Sequence, residues 1–158
     1  MAKSRNIQEW FSVYGESHQN KLNKLIHFIC VPAIYFSIIG ILWAIPTPAF
    51  FETVPYLNFA TLALVFVVLF YVRLSIKVAF GMTLFSFGCF YLLNLIEHSA
   101  HLDVLISSIS IFVISWIFQF IGHIAEGKKP SFFEDLQFLM IGPAWVIGFA
   151  YRKIGIEL

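Results

Sequence analysis

The chain has 158 residues, about one domain's worth, with a formal net charge of +1, and 59% of its residues are hydrophobic. Only 12% are charged, against roughly 25% in ordinary soluble domains, and no basic cluster marks a nucleic-acid partner. Mean hydropathy of +0.84 arises from several separated apolar runs. That excludes a water-soluble globule and predicts an all-α, polytopic membrane helical bundle forming a single domain over residues 1–158.

In chain order, Ser4 to His18 reads as a short interfacial helix. Ile7, Trp10, Phe11 and Tyr14 recur at three- and four-residue spacing and make one apolar face, suited to the headgroup level of a membrane. No hydrophobic core precedes it, so a cleaved signal peptide is not expected. Four crossings follow, over residues 25–45, 56–72, 78–96 and 105–123. Pro46 and Pro48 close the first, and Arg73 to Lys77 make a tight polar turn between the second and third. A last apolar piece, residues 138–150, is short for a crossing and is left as a re-entrant, interfacial or fifth segment.

Charge placement orients the bundle. With four crossings, Lys3, Arg5, Lys21, Lys24, Arg73, Lys77, Lys128 and Lys129 fall on one side, eight of the ten positive residues. The two loops opposite carry Glu52, Glu97 and Asp103. This asymmetry places the N-terminus in the cytoplasm, with the bilayer a bacterial inner membrane. Cys30 and Cys89 sit in apolar runs, where buried thiols are the expected state. Gly40, Gly81 and Gly88 are expected to let helices pack closely.

The chemistry-bearing residues are five histidines at the ends of apolar runs: His18, His27, His98, His101 and His123. Imidazole suits iron and zinc. Asn23, Asn94, Glu97, Gln119 and Glu126 lie close enough in sequence to orient those rings. The alternative for any single ring is a hydrogen bond to lipid headgroups or water. Gln119 and His123 share one helix face by four-residue spacing, and Gly127 and Pro130 are poised to end that helix. His18 and His27 are nine residues apart, so one unbroken helix would set them on opposite faces; a shared site requires a bend between them. His98 and His101 fall on the far side of the four-crossing layout. One site holding all five needs a re-entrant segment or deeply placed polar ends. No G-x-S-x-G, HExxH, phosphate-binding glycine loop or paired-carboxylate spacing occurs.

Two blocks of sequence carry a resemblance. One is Tyr14, His18, Asn23-Lys24-Leu25-Ile26-His27 and Val31-Pro32. The other is Trp116 to His123 with its Gln-x-x-Gly-His core, then Glu126, Pro130 and the late Gly142-Pro143. On these the chain resembles the Mpo1-like family of small membrane proteins, related to a yeast 2-hydroxy fatty acid dioxygenase. The resemblance implies an Fe(2+)-dependent dioxygenase that uses O2, without 2-oxoglutarate, to shorten long-chain 2-hydroxy fatty acids by one carbon. It implies metal residues His18, His27 and His123, with Asn23, Gln119 and Glu126 as supporting partners. Lys24 or Lys128 would assist the substrate carboxylate. The rival readings are another lipid-acting membrane metalloenzyme, against which the absence of paired adjacent histidines counts, and a non-enzymatic metal or lipid carrier. A carrier needs a continuous polar path, which the apolar segment interiors do not offer.

Overall fold

The computed structural model describes residues 6–54, 56–127 and 138–158. Among these residues there are six α-helices and no strand: α1 Ile7–Glu16, α2 Lys21–Trp43, α3 Phe59–Leu74, α4 Ile76–Glu97, α5 Val104–Glu126 and α6 Ile141–Lys153, with a 3-10 turn at Ala49–Thr53. Three of them, α2, α4 and α5, are long and apolar enough to cross a membrane. The second expected crossing is shorter than its neighbours. α3 has 16 residues, about 24 Å at the usual rise, under the roughly 30 Å of a hydrocarbon core.

Side-chain caps set the helix limits. Asn6 and Glu9 form a reciprocal capping box at the start of α1. Asn20 caps α2 through its Oδ1, which accepts from the amides of Leu22 and Asn23. Asp103 does the same for α5 at the amide of Ile106. Gly127 closes α5 at φ 77°, a left-handed conformation that costs glycine little. The polar turn at Arg73 to Lys77 reduces to one extended residue, Ser75, which ends α3 and starts α4.

α2 and α5 form the closest pair and run antiparallel, for Gly40 meets Ser108 at one end and Gly122 meets Asn23 at the other. Small and polar side chains face this seam, with Ser37, Ser108, Ser115 and Gln119 all buried. Close backbone approach is what holds helices together where lipid is as apolar as leucine. Gly40 and Gly81 do sit at tight contacts, Gly81 against Tyr151 and Ile147. Gly88 has open space around it, so the packing role expected of it falls away. The outer face of α5, with Ile106, Val113, Ile117 and Ile124, is exposed, as a lipid-facing surface requires. Cys30 and Cys89 are buried and free.

α6 settles against one end of the bundle. Its first turn receives the Tyr71 hydroxyl on the Met140 carbonyl. Its last turn sends the Tyr151 hydroxyl to the Lys77 carbonyl at 2.9 Å. Tyr71 and Lys77 flank the same turn, so both ends of α6 are tied to one end of the bundle, and its 13 residues, about 20 Å at the usual rise, are short for a crossing. The apolar face of α1 is likewise covered by protein rather than lipid. Ile7, Phe11 and Tyr14 are buried, with Phe11 against Gly148 and Tyr14 against Trp145. Cysteines placed at exposed Thr53 and Lys77, one at a time in a chain lacking Cys30 and Cys89, should react with a membrane-impermeant maleimide from opposite faces. Labelling of both from one face would overturn the layout.

Candidate metal centre

α1, α2 and α5 all reach the end of the bundle that α6 covers, and three imidazoles meet there, one from the α1–α2 break, one from α2 and one from α5. The bend that a shared site requires lies at residues 17–20, where the chain leaves α1 and Asn20 restarts it as α2. His18 stands in this break, His27 nearly two turns into α2, and His123 in the last turn of α5. They are 2%, 1% and 5% exposed. Ring centroids are 4.1 Å apart for His18 and His27, 5.1 Å for His27 and His123, and 5.9 Å for His18 and His123.

Two rings are held from behind. His18 Nδ1 lies 2.6 Å from the Tyr14 carbonyl, and His27 Nδ1 lies 3.0 Å from the Asn23 carbonyl. A carbonyl only accepts, so each Nδ1 carries the proton and the lone pair sits on Nε2. This arrangement is characteristic of imidazoles set up to ligate a metal. The Tyr14 ring also stacks on His18, 4.2 Å between centroids and 19° between planes.

One nitrogen of each histidine lies within 4.8 Å of the others. A triangle of that size has its centre about 2.8 Å from each corner, so shifts of about 0.7 Å would bring all three to the roughly 2.1 Å of a metal–imidazole bond. Three buried imidazole nitrogens, two of them on rings whose tautomer is fixed, fit an iron or zinc ion. They suit calcium or magnesium poorly, since those take oxygen ligands.

The break that carries His18 is clasped by Glu126. Its carboxylate accepts from the backbone amides of Gln19 (2.8 Å) and Asn20 (2.9 Å) and from the Asn23 side-chain amide (2.9 Å). Asn23 also donates to the Ser17 carbonyl at 3.1 Å, and Asn20 returns a bond to the Ala125 carbonyl at 3.0 Å. A carboxylate at the C-terminal end of its own helix is unfavourable by about 0.3–1 kcal/mol. Three charge-assisted bonds, at roughly 1.5 kcal/mol or more each before water competition, outweigh that. The same carboxylate faces the positive N-terminus of α2. Glu126→Ala should lower stability by about 1–2 kcal/mol, because solvent reaches this half-exposed group and replaces part of what is lost. Thermal unfolding in detergent would measure it, and an unchanged midpoint would remove the clasp from the account.

Gln119 is buried one turn before His123 and lines a small cavity described below. Lys24 is half-buried one turn before His27. Lys128 lies outside the described residues. His98 and His101 do not join the centre. Both are exposed at the α4–α5 connection, the length of α5 away from His123, about 28 Å at 1.5 Å per residue. His98 Nδ1 bonds the Asn94 carbonyl at 2.8 Å. Asn94 and Glu97, grouped with the other supporting residues on sequence proximity, line a separate cleft of about 1200 Å3 at that far end. A straight crossing helix cannot bring its two ends together.

Reading the sequence for metal residues overlooked Tyr14 and Gly122. Tyr14 lies four residues before His18, the spacing at which a helical carbonyl meets a later side chain. Gly122 lets α5 approach Asn23, for a Cβ there would stand 2.5 Å from Asn23 Oδ1.

A family model described as "2-hydroxy-palmitic acid dioxygenase Mpo1-like" matches residues 4–154. The Saccharomyces cerevisiae protein named 2-hydroxy-palmitic acid dioxygenase MPO1 is 28% identical over 152 residues, covering 95% of this chain and 82% of the yeast protein. No solved structure matches. The match runs through all six helices and all three buried histidines, and the chain belongs to the Mpo1-like family.

Proposed function

We propose that the protein is an Fe(2+)-dependent dioxygenase that shortens long-chain 2-hydroxy fatty acids by one carbon at the cytoplasmic face of a bacterial inner membrane. The observation that carries this reading is the meeting of three buried imidazoles from three separate segments, two with Nδ1 tied to a backbone carbonyl. The family's description and the name of the yeast relative support the choice of substrate class. The reaction balances as hydroxy acid plus O2 giving the shortened acid, CO2 and water. Carbon 1 leaves as CO2, carbon 2 rises from alcohol to carboxyl, and O2 takes up four electrons.

His18, His27 and His123 would hold the ion. When bound, iron(II) supplies a redox-active Lewis acid beside the hydroxy-carboxylate. The rest is done by the chain. The Tyr14 and Asn23 carbonyls fix two tautomers, so no proton need leave before a ligand binds. The near-complete burial of all three rings excludes bulk water and strengthens the local electrostatics. Lys24, half-buried within one turn of His27, attracts the substrate carboxylate. The acyl tail follows the apolar body, each buried methylene contributing about 0.8 kcal/mol.

Iron-loaded protein, purified without oxygen, should convert 2-hydroxypalmitate and O2 to a fifteen-carbon acid detectable by mass spectrometry. Palmitate, which lacks the second chelating oxygen, should not react. No oxygen uptake with the hydroxy acid, from protein shown to hold iron, rejects this substrate. Equal turnover of palmitate turns the assignment toward a general lipid oxygenase.

A further inference from the structure

A small cavity of about 20 Å3 lies one helical turn further into the bundle than the histidines. Its walls include Tyr14, Val31 and Gln119, and each of these stands four residues from one of the three histidines: Tyr14 before His18, Val31 after His27, Gln119 before His123. Val31 and Gln119 lie one turn of helix from His27 and His123, and the Tyr14 ring stacks on His18, so the cavity adjoins the centre on all three segments. Ile34, Trp116 and Gly142 complete much of the wall. A volume of this size takes one water-sized or diatomic molecule. It is far too small for an acyl chain. Val31, Ile34, Phe138, Leu139 and Gly142 make most of the wall apolar, with Tyr14, Trp116 and Gln119 bringing polar groups to it, and apolar wall of this kind accepts apolar gases.

We propose that this cavity is a binding site for one molecule of dioxygen, separate from the path of the acyl chain. The proposal rests on the dioxygenase reading for the identity of the gas, though not for the existence of a gas site. Two substrates of very different size then approach the histidines by different routes. The long one lies along the apolar body, and the small one sits in a pocket already formed behind the ligands. Val31 is the residue chosen to change the pocket's size, since it lines the cavity and packs against Gly142, another wall residue, where an added Cβ would lie 3.0 Å from Val31 Cγ1.

Val31→Ile adds one methylene to the pocket and Val31→Ala removes two methyl groups. Xenon serves as an inert probe of the site in metal-free protein, read by 129Xe NMR in detergent. The wild type should show a bound-xenon resonance distinct from the micelle, lost in Val31→Ile and retained in Val31→Ala. In iron-loaded protein, Val31→Ile should raise KM for O2 about 10-fold, the usual effect of one methylene in a fitted pocket. KM for the hydroxy acid and iron content should not change. A wild type without bound xenon, or a bound signal indifferent to Val31→Ile, overturns the proposal. So does a rise in KM for the hydroxy acid in place of O2, which would make the cavity the start of the tail path. A xenon site sensitive to Val31 in iron-bearing protein that consumes no O2 would uphold the gas pocket and refute the dioxygenase reading.

Discussion

Purified His27→Ala protein is expected to retain almost no iron, with the wild type holding about one equivalent. Loss of an outer partner alone commonly lowers metal affinity 10- to 100-fold, and loss of a direct ligand should exceed that. His27 is the sharpest position because it is the most enclosed of the three and its ring lies within 5.1 Å of both others. His18→Ala and His123→Ala should behave alike. The paired change His98→Ala with His101→Ala is the control, and it should leave metal content unchanged, since both residues are exposed at the far end of α5. Elemental analysis by plasma mass spectrometry, with circular dichroism to verify folding, decides the matter. A wild type without stoichiometric transition metal, or a folded His27→Ala protein that keeps it, would end the assignment of these histidines.

Gly122→Ala should destabilise the protein by about 2 kcal/mol and loosen the metal with it. Helix propensity argues the other way, as alanine is the better helix former by about 1 kcal/mol. Space decides against it. The new Cβ would stand 2.5 Å from Asn23 Oδ1 and 3.5 Å from Asn23 Cγ and Ile26 Cδ1. Asn23 is fully buried, and its amide is committed to Ser17 and Glu126. Relief requires either moving α5 away from α2, at about 1–3 kcal/mol for overpacking, or rotating Asn23 out of two hydrogen bonds. Either response disturbs the segment that holds His18 and His27. Gly88→Ala is the matched control, because nothing lies within 4 Å of its added carbon, and propensity alone should make it neutral or slightly stabilising. Thermal unfolding together with iron retention after dialysis would test the pair. Equal stability of both variants would show that the α2–α5 seam is looser than its geometry implies.

Much of this molecule was legible in the chain. The apolar runs located the helices to within about four residues, 25–45 against Lys21–Trp43 being the widest miss, and Gly127 ends α5 as its position near Pro130 suggested, because helix stops act locally. The need for a bend between His18 and His27 followed from helical periodicity, and the bend lies at residues 17–20. The fate of α1 and α6 was not legible. An amphipathic face looks the same whether lipid or protein covers it, and Phe11 and Tyr14 meet Gly148 and Trp145, more than 130 residues away in sequence.

The five histidines illustrate the same division. By itself the sequence determined that they stand at the ends of membrane-length helices, with amide and carboxylate partners close by, since that needs only the spacing of apolar and polar residues. Which of them meet was decided by the antiparallel pairing of α2 with α5. That pairing brings the start of one helix to the end of the other, so His27 and His123 become neighbours through Gly122 and Asn23. It leaves His98 and His101 a bilayer's thickness away. The tautomers, by contrast, are a local outcome, for both Nδ1–carbonyl bonds join residues four apart, Tyr14 with His18 and Asn23 with His27. Sequence distance cannot report the meeting of the histidines, because it depends on how closely α2 and α5 approach, and a missing Cβ at Gly122 permits that approach.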